Sequence, residues 1–99
     1  MHKTSIQELD FADDEVRKLY YREDLIFEVT EAISRAMKEK NVNKKELSRL
    51  TGISESRITR LLRGDLNARL TTIAAILHAL DSKLLFILIP VKKCGRILA

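Results

Sequence analysis

Apolar residues along this chain recur with three different rhythms, and each rhythm predicts a different kind of element. In residues 13–40 they fall at helical spacing. Asp13, Asp14 and Glu15 put carboxylates where a helix N-terminus favours negative charge. Val16, Leu19 and Tyr20 follow, so a short helix over 13–21 is expected. From Arg22 to about Lys40, Leu25, Ile26, Val29, Ile33, Ala36 and Met37 share one face, with Glu28, Glu31, Arg35 and Lys38 on the other. This stretch reads as a core-packing helix. No helix breaker separates the two segments, so one long helix satisfies the same pattern. Residues 1–12 are polar and aperiodic and read as an N-terminal arm.

A tighter rhythm governs residues 43–64. Asn43 offers a side-chain acceptor for a helix start, and Glu46 three residues on can reach back in a variant of the capping box. Leu47 and Leu50 then point inward. Gly52 supplies a residue that can turn the chain sharply with positive φ. Ile53 tucks into the core and Ser54 caps a second helix that buries Ile58, Leu61 and Leu62. Glu55, Ser56, Arg57, Thr59, Arg60 and Arg63 stay available to solvent until Gly64 ends the helix. Two short helices joined at a glycine, the second one basic, make a helix-turn-helix pattern. After a loop over 64–67, a further helix over about 71–81 places Leu70, Ile73, Ile76, Leu77 and Leu80 inward. His78 falls off that stripe and reads as an ordinary surface or boundary histidine.

The third rhythm is none at all. Leu84, Leu85, Phe86, Ile87, Leu88 and Ile89 form a continuous apolar run between Lys83 and Pro90. Its length and bounds suit a strand buried on both faces. A C-terminal helix or an extended segment packed on the core are the other readings. With no second strand-like run in the chain, a buried strand would leave its backbone groups unpaired. The same strand from a second copy, antiparallel about a two-fold axis, is the simplest partner. The chain therefore divides into an arm (1–12), a helical domain (13–82) and a strand and tail (83–99).

Charge adds to the picture because it is uneven. The length of 99 residues predicts one domain with one core, and the net charge over it is +4. Residues 1–40 hold seven Lys/Arg against ten Asp/Glu, and residues 41–99 hold eleven against four. The basic excess thus lies in the helix-turn-helix and the segments C-terminal to it. Such a field attracts polyanions, nucleic acid or acidic lipid alike. Cys94 is the single cysteine, so no internal disulfide forms and a reducing, cytoplasmic setting is expected. The apolar run of about eight residues is far short of the roughly 20 that span a bilayer, and no apolar leader opens the chain. A soluble protein with no membrane partner is expected. No nucleophile–base pair, phosphate-cradling glycine loop or metal spacing is visible, and His78, His2 and Cys94 do not form one. No enzymatic activity, cofactor or metal is expected.

The residues LSRLTGISESRITRLLRG followed by NARLTTIAAILHALD closely resemble the phage-repressor-like helix-turn-helix family, the XRE-type regulators. Glu46, Leu47, Gly52, Ile53, Ser54, Ile58, Leu61 and Gly64 match its pattern, as do Leu70, Thr72, Ile73, Ala79 and Leu80. The apolar KLLFILIP after the last helix is similar to the C-terminal strand of small HigA-type antitoxins. The resemblance implies a mostly α fold: a phage-repressor-like bundle of about five helices with one C-terminal β-strand, paired across a dimer. The chain also departs from the pattern. Lys44 replaces a frequent Gln and Ser48 a small Ala. Ala68-Arg69 replaces a capping Pro-Ser or Pro-Thr, and Leu62 a charged residue.

If the second helix of the motif enters the major groove, its exposed residues meet base edges, making Glu55, Ser56, Arg57, Thr59 and Arg60 the candidate readers. Arg57 or Arg60 can pair bidentately with a guanine. Glu55 can accept from a cytosine amine or orient Lys44, Arg57 or Thr59. The resemblance implies phosphate contacts from helix ends and the following loop, which makes Lys44, Lys45, Ser54, Arg63, Asn67 and Arg69 the candidates. Such contacts fix register. The expected partner is double-stranded DNA bearing a palindromic operator, bound by a homodimer. The expected function is a sequence-specific regulator, a repressor. An antitoxin of a HigBA-like pair, neutralising a toxin and regulating its own operon, is the alternative. A DNA-independent interaction module is a third reading.

Overall fold

A computed structural model describes residues 13–65, 67–93 and 96–97. Four helices run through them in order: α1 (Asp14–Glu39), α2 (Lys44–Thr51), α3 (Glu55–Leu62) and α4 (Leu70–Ala79). The expected five become four because residues 13–21 and 22–40 fuse. Nothing between Asp14 and Glu39 interrupts the backbone ladder, so the longer helix avoids two extra sets of unpaired ends.

Local chemistry explains where α1 begins and ends. The Asp13 carboxylate accepts from the N–H groups of Glu15 (3.1 Å) and Val16 (3.3 Å). Asn41 takes a left-handed conformation with φ 57°, and the Val42 N–H then donates to the Met37 carbonyl at 2.9 Å. Asp81 (φ 48°) does the same for α4, with the Ser82 N–H donating to the Leu77 carbonyl at 2.9 Å. The start of α4 lacks a side-chain cap at Arg69, as its departure from the family pattern implies.

α2 packs on α3 and α4, while α1 packs on α3. Between them lies a core of Ile33 and Met37 from α1, Leu47 from α2, Ile58 and Leu61 from α3, and Ile76 with Leu80 from α4 and its cap. Each such side chain contributes about 1.5–3 kcal/mol by leaving water. Every one of these residues lies between positions 33 and 80. The first half of α1 supplies none.

Three leucines expected inside are outside. Leu25 is 58% exposed, Leu50 45% and Leu70 84%. Leu25 and Leu70 line the two sides of one open groove between α1 and α4, so each faces the right way but finds no element across from it. Leu62, expected inside with Ile58 and Leu61, is half-buried against the core and stands beside Ile26 and Phe27 of α1.

The apolar run behaves unlike the helices. Residues 82–90 belong to neither helix nor strand, so the alternative of a C-terminal helix is not realised, and no strand ladder forms over 84–89 within the chain. Leu85, Phe86, Ile87, Leu88 and Ile89 are all exposed, and Leu84 is half-buried. A two-residue ladder does form just beyond: β1 (Lys92–Lys93) pairs antiparallel with β2 (Arg96–Ile97), Lys92 opposite Ile97 and Lys93 opposite Arg96. This ladder lies outside the expected strand and pairs with none of residues 84–89. Segments so close in sequence pair at little loop-closure cost. The expected arm, residues 1–12, lies outside the described residues.

Candidate nucleic-acid interface

The motif over 43–64 is assembled from short-range hydrogen bonds. Asn43 Oδ1 accepts from the Glu46 N–H at 2.8 Å, closing the first turn of α2. The expected return bond from the Glu46 carboxylate does not form; that carboxylate takes Arg49 instead, from Nε at 3.1 Å and also from the terminal guanidinium nitrogen. A charged guanidinium is the stronger donor, so it outcompetes a neutral N–H. The Arg49 hydrogen bond, helped by its charge, holds the Glu46 carboxyl below the usual carboxylate range and raises Arg49 in turn.

Gly52 turns the chain with φ 79° and ψ 2°. Beside it, the Thr51 hydroxyl donates to the Leu47 carbonyl (2.8 Å) and accepts from the Ile53 N–H (3.1 Å). One side chain thereby ties the end of α2 to the first residue of the turn. Sequence reasoning passed over Thr51; a hydroxyl residue immediately before a helix-ending glycine was the available signal. Ser54 then caps α3, its Oγ accepting from the Arg57 N–H at 3.2 Å and lying 3.4 Å from Ser56 Oγ.

Because Ile58 and Leu61 are held in the core, the opposite face of α3 has a fixed outward direction. Glu55, Ser56, Arg57 and Arg60 are exposed there, while Thr59 is half-buried at the edge. No ion pair joins Glu55 to Lys44 or Arg57 among the described residues. α3 closes with Gly64 at φ 79° and the Asp65 N–H donating to the Arg60 carbonyl at 2.9 Å. A β-carbon at Gly64 would stand 3.1 Å from Ile26 Cγ2, so this glycine serves both the turn and the approach of α1.

The phosphate candidates separate into groups. Lys44 and Lys45 are exposed on the first turn of α2. Two lysines there oppose the positive end of the helix dipole, a cost that an anion bound at the same turn would offset. Ser54 sits at the same kind of end on α3. Arg63 is exposed but paired, its guanidinium 3.2 Å from the Asp65 carboxylate. Asn67 and Arg69 are exposed beyond the loop, and Asn67 also borders the α1–α4 groove. No group of three or more His, Cys, Asp or Glu that could hold a metal occurs among the described residues. His78 is exposed.

Residues 32–90 match the family model for the Cro/C1-type HTH DNA-binding domain. The chain belongs to this family. The matched span holds the whole buried core, the capped turn at Gly52 and the exposed face of α3. It omits most of α1, whose residues 14–31 stand before it. No curated protein and no solved structure matches the chain. As a Cro/C1-type domain, the protein carries a DNA-binding helix-turn-helix in a mostly helical fold. No helix among the described residues is long and apolar enough to cross a membrane.

Proposed function

We propose that this Cro/C1-type protein is a sequence-specific transcriptional repressor that binds a palindromic operator as a homodimer and reads bases with α3. The observation that carries the reading is the orientation of α3: Ile58 and Leu61 lock it into the core, and Ser56, Arg57 and Arg60 are left exposed on the other side. In this reading Glu55, Ser56, Arg57, Thr59 and Arg60 meet base edges. Lys44, Lys45, Ser54, Arg63, Asn67 and Arg69 hold the phosphates and so fix register. Residues 84–89 pair with the same residues of a second copy. A symmetric pair of readers then needs half-sites about 34 Å apart.

Selection of bound sites from random DNA, followed by mobility shifts on the selected sequence, tests this. The expected product is a palindrome with half-sites one turn apart and salt-sensitive binding. Recovery of no enriched sequence would contradict it.

A second reading has one specific observation behind it. Residues 14–31 of α1 carry six carboxylates against three cations and leave Val16 and Leu19 exposed, outside the matched domain. That surface suits a basic protein partner, as in an antitoxin of a HigBA-like pair that also regulates its own operon. Co-expression with the product of an adjacent reading frame tests it. Rescue of growth by this chain, lost on Val16→Asp with Leu19→Asp, supports the antitoxin role; no growth defect from the neighbour removes it.

A further inference from the structure

Among the described residues, two of the apolar surfaces left without cover match each other. One is the groove between α1 and α4, about 450 Å³ in volume, with Leu25, Ile26 and Val29 on one wall and Leu70 and Ile73 on the other. The other is the run over 84–89, where Leu88 is 99% exposed. Exposed apolar area of this kind marks an interaction site rather than ordinary surface. Within one chain the two surfaces stay apart: the run is in water while Leu70 is 84% exposed. We propose that the α1–α4 groove is the seat for residues 84–89 of a second copy of this chain.

The inference rests on the strand-paired dimer described above, and three arguments carry it further. First, a two-stranded ladder is marginal in water on its own; a helix packed on one of its faces is the usual remedy. Alternation puts Leu84, Phe86 and Leu88 on one face and Leu85, Ile87 and Ile89 on the other, so one face is free to be seated. Second, six residues per partner fall well below the roughly 20–30 a side of a stable interface, and the ten residues lining the groove bring each side toward the lower end of that range.

Third, the charges are complementary. Residues 83–93 carry Lys83, Lys92 and Lys93 and no carboxylate, flanking the apolar run at both ends. The wall they would approach is α1 over residues 22–30, where Glu23, Asp24 and Glu28 stand beside Arg22, itself a lining residue of the groove. By two-fold symmetry the contact is made twice, each copy lending its run and receiving its partner's.

The test uses the full chain. Leu25→Glu with Leu70→Glu places two carboxylates in the groove at positions that are exposed in the single chain, so the thermal midpoint should hold at dilutions where the parent is monomeric. The dimer dissociation constant, from sedimentation equilibrium, should rise by about tenfold or more. In parallel, a benzophenone side chain replaces Leu88 in one preparation and Ile87 in another, each mixed with 15N-labelled chain. One of the two positions, not both, should crosslink to peptides of α1 or α4 in pairs that mix the labels.

Crosslinks confined to one chain would overturn the second copy as occupant. A groove variant that dimerises like the parent, while Leu85→Asp with Ile87→Asp does not, would overturn the groove and leave the strand pairing standing. A parent chain that is monomeric at every concentration up to about 100 μM would overturn both.

Discussion

The helix-turn-helix over 43–64 and the run over 84–89 are both rich in large apolar residues, yet their fates are opposite. Leu47, Ile58 and Leu61 in the first are buried; Leu85 through Ile89 in the second are in water. The difference is not hydrophobicity. In the motif, apolar residues alternate with polar ones at helical spacing, so each short helix has a single face to bury and neighbours at hand to bury it against. In the run every position is apolar, no polar face directs it, and its backbone has no ladder partner among the described residues. Periodicity assigns a residue its place; apolar character alone assigns only a need.

The comparison can be broken most sharply at single side chains. Leu47→Ala and Ile58→Ala should each cost about 2–5 kcal/mol in urea unfolding, since both are fully buried. Leu88→Ala, measured on dilute monomer, should stay within about 0.5 kcal/mol. A loss above about 1 kcal/mol for Leu88→Ala would show that the run is buried in the lone chain and would erase the contrast.

On the outward face of the motif, stability and recognition should separate. Arg57→Ala should lose about 1–3 kcal/mol of discrimination between the selected operator and random DNA, with stability unchanged within about 0.5 kcal/mol. Equal losses on both DNAs would assign Arg57 to phosphate instead. The two turn glycines sharpen the comparison next. Gly64→Ala should cost about 1–2 kcal/mol from its positive φ, and more from the 3.1 Å approach to Ile26. Gly52→Ala carries the backbone strain alone, because no atom lies within 4 Å of its added carbon. Equal unfolding midpoints for the two would contradict the Ile26 contact.

Smaller effects are expected at the cations. Lys44→Ala should weaken all DNA sequences alike and flatten the logarithmic salt dependence by about one unit. Smallest is a pH effect at Glu46. Its carboxyl is held low by Arg49, so the pair's contribution is complete above the unfolded carboxylate value. That contribution fades as pH falls through the lower folded value. Stability profiles of Glu46→Gln and the parent should therefore converge in acid and differ slightly above it. Parallel profiles through the acid range would remove the pair from consideration.

Much of the motif was legible because its determinants are close in sequence. Asn43, Ser54 and Gly52 act on residues two to four positions away, as Gly64 does in its turn, and each does there what its type and position imply. The outward face of α3, where the candidate readers stand, was legible for the same reason: Ile58 and Leu61 fix its phase. Side-chain competition was less legible. Whether Glu46 turns to its helix cap or to Arg49, and whether Arg63 is free or held by Asp65, depends on which donor is stronger and nearer once the backbone is set. Thr51 was missed because its hydroxyl bridges two backbone groups that only the turn brings together.

What the chain determined by itself are the helices, their caps and the direction each face points, since these arise from backbone sterics and hydrogen bonds within a few residues. What only the tertiary arrangement decided is which apolar residues find a lid. Ile33 and Ile76 do; Leu25 and Leu70, equally apolar and pointing between α1 and α4, do not. Burial needs a second surface at the right distance, and no local pattern carries that information.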